Sequence, residues 1–285
     1  MRYSLLYIAL LVLTIPVSAQ SLEEREQRLS NLFIQLNKSK SDAITDSLDA
    51  AIRQEWKDCF TDPACFSYPF ESVRCCKLIA SDQRVRLINW NIGHFDGTFR
   101  YSCFVLVKEP KSDQFRVVEL TPLVAENPKL KSKVFTEDKW PGALYYEIIP
   151  MDKKGKSMQY TLVGWDGKDN LTNRKFVECM TVTDSNIKFG GEIFSAVDSQ
   201  AKRLIYEYGE SATASIKYYP KKGCIVMDHL SPSHDAMTGY YSEYGPDGTY
   251  DALLLKDGEW TYEERVDASQ FTSDDGKPYN KPKKK

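Results

Sequence analysis

After its first nineteen residues the sequence has no long apolar run. Crossing a bilayer takes about 20 consecutive apolar residues, so no later segment is expected to span a membrane. Neither sign of charge is in excess: 38 basic and 40 acidic side chains leave a formal charge of −2. That balance lacks the basic face by which proteins hold nucleic acid. Histidine is scarce, with three in 285 residues. No Gly-x-Ser-x-Gly elbow, His-Glu-x-x-His pair or Walker-type loop occurs, so the common local signatures of serine hydrolases, zinc proteases and nucleotide-binding enzymes are missing. "FGGEIF" has two glycines, but between strand-like residues they indicate a bulge rather than a phosphate loop. No fixed repeat separates the Asp-Gly pairs at Asp96, Asp166, Asp247 and Asp257, which argues against a propeller.

What is present begins with "MRYSLLYIALLVLTIPVSAQ", with Arg2 as its only charge. A basic start, a short apolar stretch and small residues at the end predict a secretory signal peptide over 1–19, cut after Ala19. No cysteine follows that point, so a lipid-anchored start is not indicated. The expected location is periplasmic, outer-envelope-associated or secreted.

Residues 20–58 read as a helical segment. Ser21 and Glu24 have capping-box spacing. Leu29, Leu32, Phe33 and Leu36, then Ile44, Leu48, Ile52 and Trp56, recur at helical intervals, with "NKSKSD" as a break. Helices with so narrow an apolar stripe gain their stability by packing on a larger body. Residues 59–76, "CFTDPACFSYPFESVRCC", form a Cys/Pro-rich loop. In an exported chain, Cys59, Cys65, Cys75 and Cys76 are expected to supply at least one disulfide. Cys75 and Cys76 are adjacent, with Cα atoms about 3.8 Å apart, too close to suit a bond to each other. A four-cysteine zinc site fits the spacing poorly. Cys103, Cys179 and Cys224 sit in strand-like runs as small buried hydrophobes.

Residues 77–268 alternate strand-like runs with turn residues, from "RVRLINWNI" and "FRYSCFVLVK" to "YDALLLK" and "EWTYEERV". The pattern predicts a mainly β body: an antiparallel meander, sandwich or barrel-like sheet with the helical segment packed on it. "FDGT", "WDGKD", "PDGT" and "KDGEW" place Asp-Gly where tight reversals need positive φ. Residues 269–285 read as a disordered, lysine-rich tail. It could touch anionic lipid or polysaccharide, though so few lysines bind weakly and are screened by salt.

One stretch comes near a recognisable site. "CIVMDHLSPSHD", residues 224–235, joins a doubly buried strand to a loop holding two histidines and two aspartates. A divalent metal would draw on Asp228, His229, His234, Asp235 and, from another turn, His94. The plainer expectation is a strand end, with Asp228 accepting backbone hydrogen bonds and His229 partly buried and satisfied. Cys224 and His229 point to opposite faces and cannot act as a nucleophile–base pair. Downstream, Tyr240, Tyr241, Tyr244 and Tyr250 could form a stacking platform for sugars or other flat ligands, or simply line a sheet edge.

The stretches "LINWNIGHFDGT", "LVGWDGKD", "RLIYEYG" and "IVMDHLSPS…MTGYYSEYGPDGTYD", with the leader ending in "SAQ", resemble a group of exported proteins of Bacteroidetes-type bacteria. The resemblance implies export and a bacterial origin, and it carries no activity or catalytic residue. The expectation is therefore a non-catalytic binding or scaffolding protein of the cell envelope or periplasm. No cofactor is expected. The partner would be an envelope component or polysaccharide. The alternative is a metal-assisted hydrolase built on Asp228, His229 and His234.

Overall fold

The computed structural model describes residues 21–109, 112–124, 127–151, 157–267 and 269. The leader expected over 1–19, and all of the expected tail except Ser269, lie outside the described residues. No helix among the described residues is long and apolar enough to cross a membrane.

Helix α1 (Leu22–Leu36) starts at Ser21, whose hydroxyl accepts the Glu24 N–H at 3.3 Å. Helix α2 (Asp42–Cys59) starts in the same way at Ser41, which accepts from Ile44 N at 3.4 Å. Capping of this kind satisfies one of the N–H groups that a helix start leaves open. The inward face of α2 differs from the expected stripe. Thr45, Asp49, Ile52 and Trp56 are buried, whereas Ile44 is exposed. Asp49 takes an inward position because the Trp90 indole N–H (2.8 Å) and the Ser102 hydroxyl (3.1 Å) donate to it from the sheet below.

The remaining elements among the described residues are strands and short 3₁₀ turns. In the first sheet, β1 (Cys76–Ile79), β2 (Val85–Gly93), β3 (Phe99–Lys108) and β4 (Phe115–Glu119) lie side by side in chain order. The second holds β5 (Phe135–Thr136), β6 (Leu144–Pro150), β7 (Met158–Asp166), β8 (Thr172–Val182), β9 (Ile187–Phe189) and β10 (Arg203–Gly209). Its order is β5-β9-β8-β7-β6, and β10 pairs with the other stretch of the β8 edge that β9 uses. The third repeats the simple meander with β11 (Ile216–Tyr219), β12 (Cys224–Pro232), β13 (Tyr244–Lys256) and β14 (Glu259–Glu263). Pairing between these strands is antiparallel throughout. The fold is mainly β as expected, with the helices packed on it, and no barrel closes among the described residues.

The layers stack as helices, first sheet, second sheet, third sheet. Alternation along each strand makes this visible. Ile88, Trp90, Ile92, Phe104 and Leu106 meet Leu29, Phe33, Ile52 and Trp56 of the helices. Leu87, Cys103 and Val105, on the opposite face, meet Tyr145, Tyr160, Leu162 and Phe176 of the second sheet. Val163, Val177 and Cys179 then meet Ile225, Met227, Leu253 and Trp260 of the third. Strands covered on both faces need apolar residues on both, which is why β2, β3, β7 and β8 lack a polar side. Cys103, Cys179 and Cys224 are buried within these layers as expected.

The expected disulfide is corrected. Cys59, Cys65, Cys75 and Cys76 all carry free thiols. Cys59 and Cys65 are fully buried among the apolar side chains of the helix–sheet core. Burial pushes the Cys65 and Cys75 thiols up to about 12, so they stay protonated and unreactive at neutral pH. The linker is held by a different device. The buried Arg86 guanidinium donates from one nitrogen to the carbonyls of Cys65 (2.7 Å), Phe66 (2.9 Å) and Tyr68 (2.7 Å) and lies over the Phe70 ring. A cation bonded to three carbonyls fixes this loop noncovalently.

A second correction concerns turns. The β13–β14 reversal uses Asp257 and Gly258, both at positive φ, as a two-residue hairpin requires. Asp247-Gly248 is not a reversal. It lies inside β13, where residues 247–249 bulge opposite the single residue His229.

Candidate functional site

Strands β12 and β13 run past the rest of the third sheet to form an arm. Cys224–Met227 and Asp251–Leu253 are buried, but no residue from Asp228 to Tyr250 is. The arm has no core of its own, so its order comes from backbone pairing. Leu230 pairs with Pro246, Ser231 with Gly245 and Pro232 with Tyr244. The Ser233 N–H donates to Glu243 O at 2.9 Å, and two short 3₁₀ turns, Asp235–Met237 and Tyr241–Glu243, complete the tip. Gly239, at φ +90°, donates its N–H to the Tyr244 hydroxyl at 3.1 Å. The second turn rests on β10 at Gly209. A Cβ there would lie 2.4 Å from Ser242 O, so glycine is needed for the close approach.

The root of the arm is fixed by a histidine–carboxylate pair. His229 Nδ1 lies 2.9 and 3.1 Å from the two carboxylate oxygens of Asp251. A carboxylate only accepts, so Nδ1 carries the hydrogen. Asp251 is buried and also accepts from the Tyr262 hydroxyl (2.6 Å) and the Arg265 N–H (3.1 Å). Burial first, and then the Asp251 hydrogen bond, push the Tyr262 hydroxyl well above the usual tyrosine range. No hydrogen-bond partner among the described residues reaches His229 Nε2. This imidazole is therefore held in one tautomer with its other nitrogen open, the arrangement of a ligating or proton-accepting histidine.

The five metal candidates are not brought together. Asp228 points to the face opposite His229, and its carboxylate accepts the Ser215 N–H at 2.7 Å. It accepts a backbone hydrogen bond as expected, but within a strand and not at a turn. His234 and Asp235 are exposed on the tip of the arm. His94 lies on the first sheet against α2, where its Nε2 accepts from Arg100 Nε at 2.8 Å and its Nδ1 lies 3.4 Å from Asp42. Among the described residues no three His, Cys, Asp or Glu side chains are grouped to hold a metal.

Of the four candidate tyrosines, Tyr241 and Tyr244 are brought into ring contact. Tyr240 and Tyr241 are 64% and 47% exposed at the tip. Tyr241 and Tyr244 pack with ring centroids 5.2 Å apart at 51°. Tyr250 is exposed at the root. Sequence reasoning missed Asp251 and Tyr262. The signal was available: Asp251 is the one acid on the core-facing alternation of "YDALLLK", a position that demands partners.

Replacing His229 by Ala is expected to lower stability by about 1–3 kcal/mol, because Asp251 stays buried and loses a charge-compatible donor. Urea unfolding would measure the loss. Hydrogen exchange should show faster opening at residues 229–250 than at 85–107. Uniform exchange, or an unchanged midpoint, would remove His229 from its anchoring role.

Comparison with known proteins gave no matching family, no matching curated protein and no matching solved structure.

Proposed function

We propose that this is an exported protein of the bacterial envelope or periplasm that binds or scaffolds rather than catalyses, and that the arm is its contact element. One observation carries the reading: twenty-three consecutive residues, 228–250, are held in a defined conformation with none of them buried. Tyrosine suits such a surface. It brings a large contact area with only two side-chain torsions to immobilise. The arm is exposed along its length and carries Asp235, Glu243 and Asp247 among its tyrosines. Exposed tyrosines among acidic side chains fit a partner with apolar recesses and a basic rim. The leader sequence supports export.

The test is a Tyr240→Ser/Tyr241→Ser variant expressed in a bacterial host with its leader intact. Retention in the envelope fraction should fall while the melting temperature stays unchanged, because both side chains are exposed. Equal retention of the variant would count against the arm.

The alternative of a metal-assisted hydrolase gains one specific support, the carboxylate-held imidazole of His229 with its open Nε2. A metal there would lower the pKa of a bound water. Elemental analysis of untagged protein decides. Stoichiometric zinc, iron or manganese that is lost in His229→Ala would favour this reading over the first.

A further inference from the structure

A cleft of about 600 Å³ opens between the first and second sheets, at the end where β3 begins and β7 gives way to β8. The two hairpins at its mouth are joined by the Asn170 side-chain N–H, which donates to Asp96 O at 3.1 Å. The floor is polar. The Tyr101 hydroxyl donates to one Asp166 oxygen at 2.9 Å and accepts the Gly167 N–H at 2.9 Å. Arg174 donates twice to the other Asp166 oxygen, at 3.0 and 2.7 Å. Tyr101, Asp166 and Arg174 are 6%, 7% and 8% exposed. The walls are apolar, with Phe99, Pro122, Leu123 and Pro141 among them. The Phe99 ring is fixed edge-on against Trp165 at 5.2 Å.

Stability does not call for this floor. A buried ion pair contributes about as much as well-packed apolar residues of the same volume, and often less. Its position under an open cleft of ligand-binding size is the feature that needs explaining. The charges at the cleft are already matched. Lys168 reaches Glu207 at 2.6 Å, and Arg100 turns away to Asp46 and to His94. A charged ligand would meet no uncompensated partner. Asp166, by contrast, accepts three hydrogen bonds and has room for about four. Thr98, whose hydroxyl donates to Asp96 at 2.7 Å, and Thr121 also line the cleft.

The geometry points to a second binding site in this cleft, for a neutral polyhydroxylated ligand: a short glycan segment. A sugar hydroxyl both donates and accepts, so it can give its hydrogen to Asp166 and take one from a neighbouring donor. The C–H face of a pyranose ring matches a fixed phenyl ring and two prolines. Binding here is independent of the arm, which lies on the third sheet.

The experiment uses the whole folded protein, titrated with a panel of neutral oligosaccharides (gluco-, manno- and N-acetylglucosamine trimers) and with an acidic uronate trimer and inorganic phosphate. Saturation-transfer NMR and calorimetry give the readout. At least one neutral trimer should bind, with the acidic probes weaker by about tenfold or more. Phe99→Ala should weaken that binding by about tenfold, and Leu123→Trp, which fills the cleft from a half-exposed wall position, should abolish it. Circular dichroism melts confirm that each variant is folded. If Phe99→Ala fails to fold, Leu123→Trp decides alone. No neutral trimer bound at millimolar concentration overturns the proposal. So does equal binding of the acidic probes, or binding that survives Leu123→Trp. Loss in the Tyr240→Ser/Tyr241→Ser variant, with both cleft variants unaffected, would place the sugar on the arm and overturn the cleft.

Discussion

A chain lacking residues 21–58 is expected to lose cooperative folding and to aggregate. The deletion would bare Ile88, Trp90, Ile92, Phe104 and Leu106 on the outer face of the first sheet, all now buried under the helices. Fully burying one such side chain is worth about 1.5–3 kcal/mol, so exposing five costs on the order of 10 kcal/mol. That rivals the entire stability of an ordinary domain, about 5–15 kcal/mol. The Trp90 indole and the Ser102 hydroxyl would also lose Asp49. Size-exclusion chromatography and thermal melting test this. A soluble truncated chain with a sharp transition at the original temperature would mean that the helices are a separate module. The milder Trp56→Ala tests the same contact. It removes a fully buried indole packed 4.7 Å from Phe70 and should cost about 3–5 kcal/mol.

Replacing Arg203 by Met should destabilise the protein by about 3–5 kcal/mol, because it leaves a carboxylate buried without its cation. Arg203 and Glu178 are 0% and 1% exposed in the second sheet and meet at 2.9 Å. The remaining guanidinium donors go to the carbonyls of Leu130, Lys133 (2.9 Å) and Phe189 (3.0 Å), and the cation lies over the Phe135 ring. The other Glu178 oxygen accepts from the Tyr145 hydroxyl, which itself accepts the Trp140 indole N–H at 2.9 Å. One arginine thus ties β5, β8, β9 and the loop before β5 into one unit. The double variant Glu178→Gln/Arg203→Met should recover part of the loss and no more, because the three carbonyls remain unpaired. Chemical unfolding of the wild type, the single variant and the double variant measures both effects. A single variant within about 1 kcal/mol of wild type would show that the interior relaxes around the lone carboxylate, contrary to the usual cost of a buried unpaired charge.

The strand runs were legible because they are dense in β-branched and aromatic residues, as in β2, β3, β13 and β14. The short β1 and β5 escaped notice, since four and two residues give no usable alternation. Layer order was not legible. Apolar residues on both faces of "VRLINWNI" say that something covers each face, and nothing in the run names it. The disulfide expectation failed for a related reason. Cysteine spacing and an exporting leader carry no information about the core that encloses Cys59 and Cys65. At the arm, every candidate tyrosine was visible in sequence, whereas the His229 partner was hidden by a bulge that shifts the pairing between Asp228 and Leu230. The cleft could not be seen at all, because Tyr101, Asp166 and Arg174 come from strands in two different layers.

Because the layers follow one another in chain order, synthesis delivers them in order as well. The helices emerge before the sheets and find no strands yet to pack on. Each sheet is a set of mostly neighbouring hairpins, so its own pairing is quick to form. Yet the middle sheet stays wet on the face bearing Val163, Val177 and Leu204 until the third arrives. The clasp comes nearly last: Trp260, on the final strand, buries its ring there and donates its indole N–H to Thr161 at 2.8 Å. A nascent chain of this design cannot complete its core while any of the four layers is still unmade. Its core closes only once β14 has joined, and until then the incomplete chain presents the exposed faces that chaperones bind.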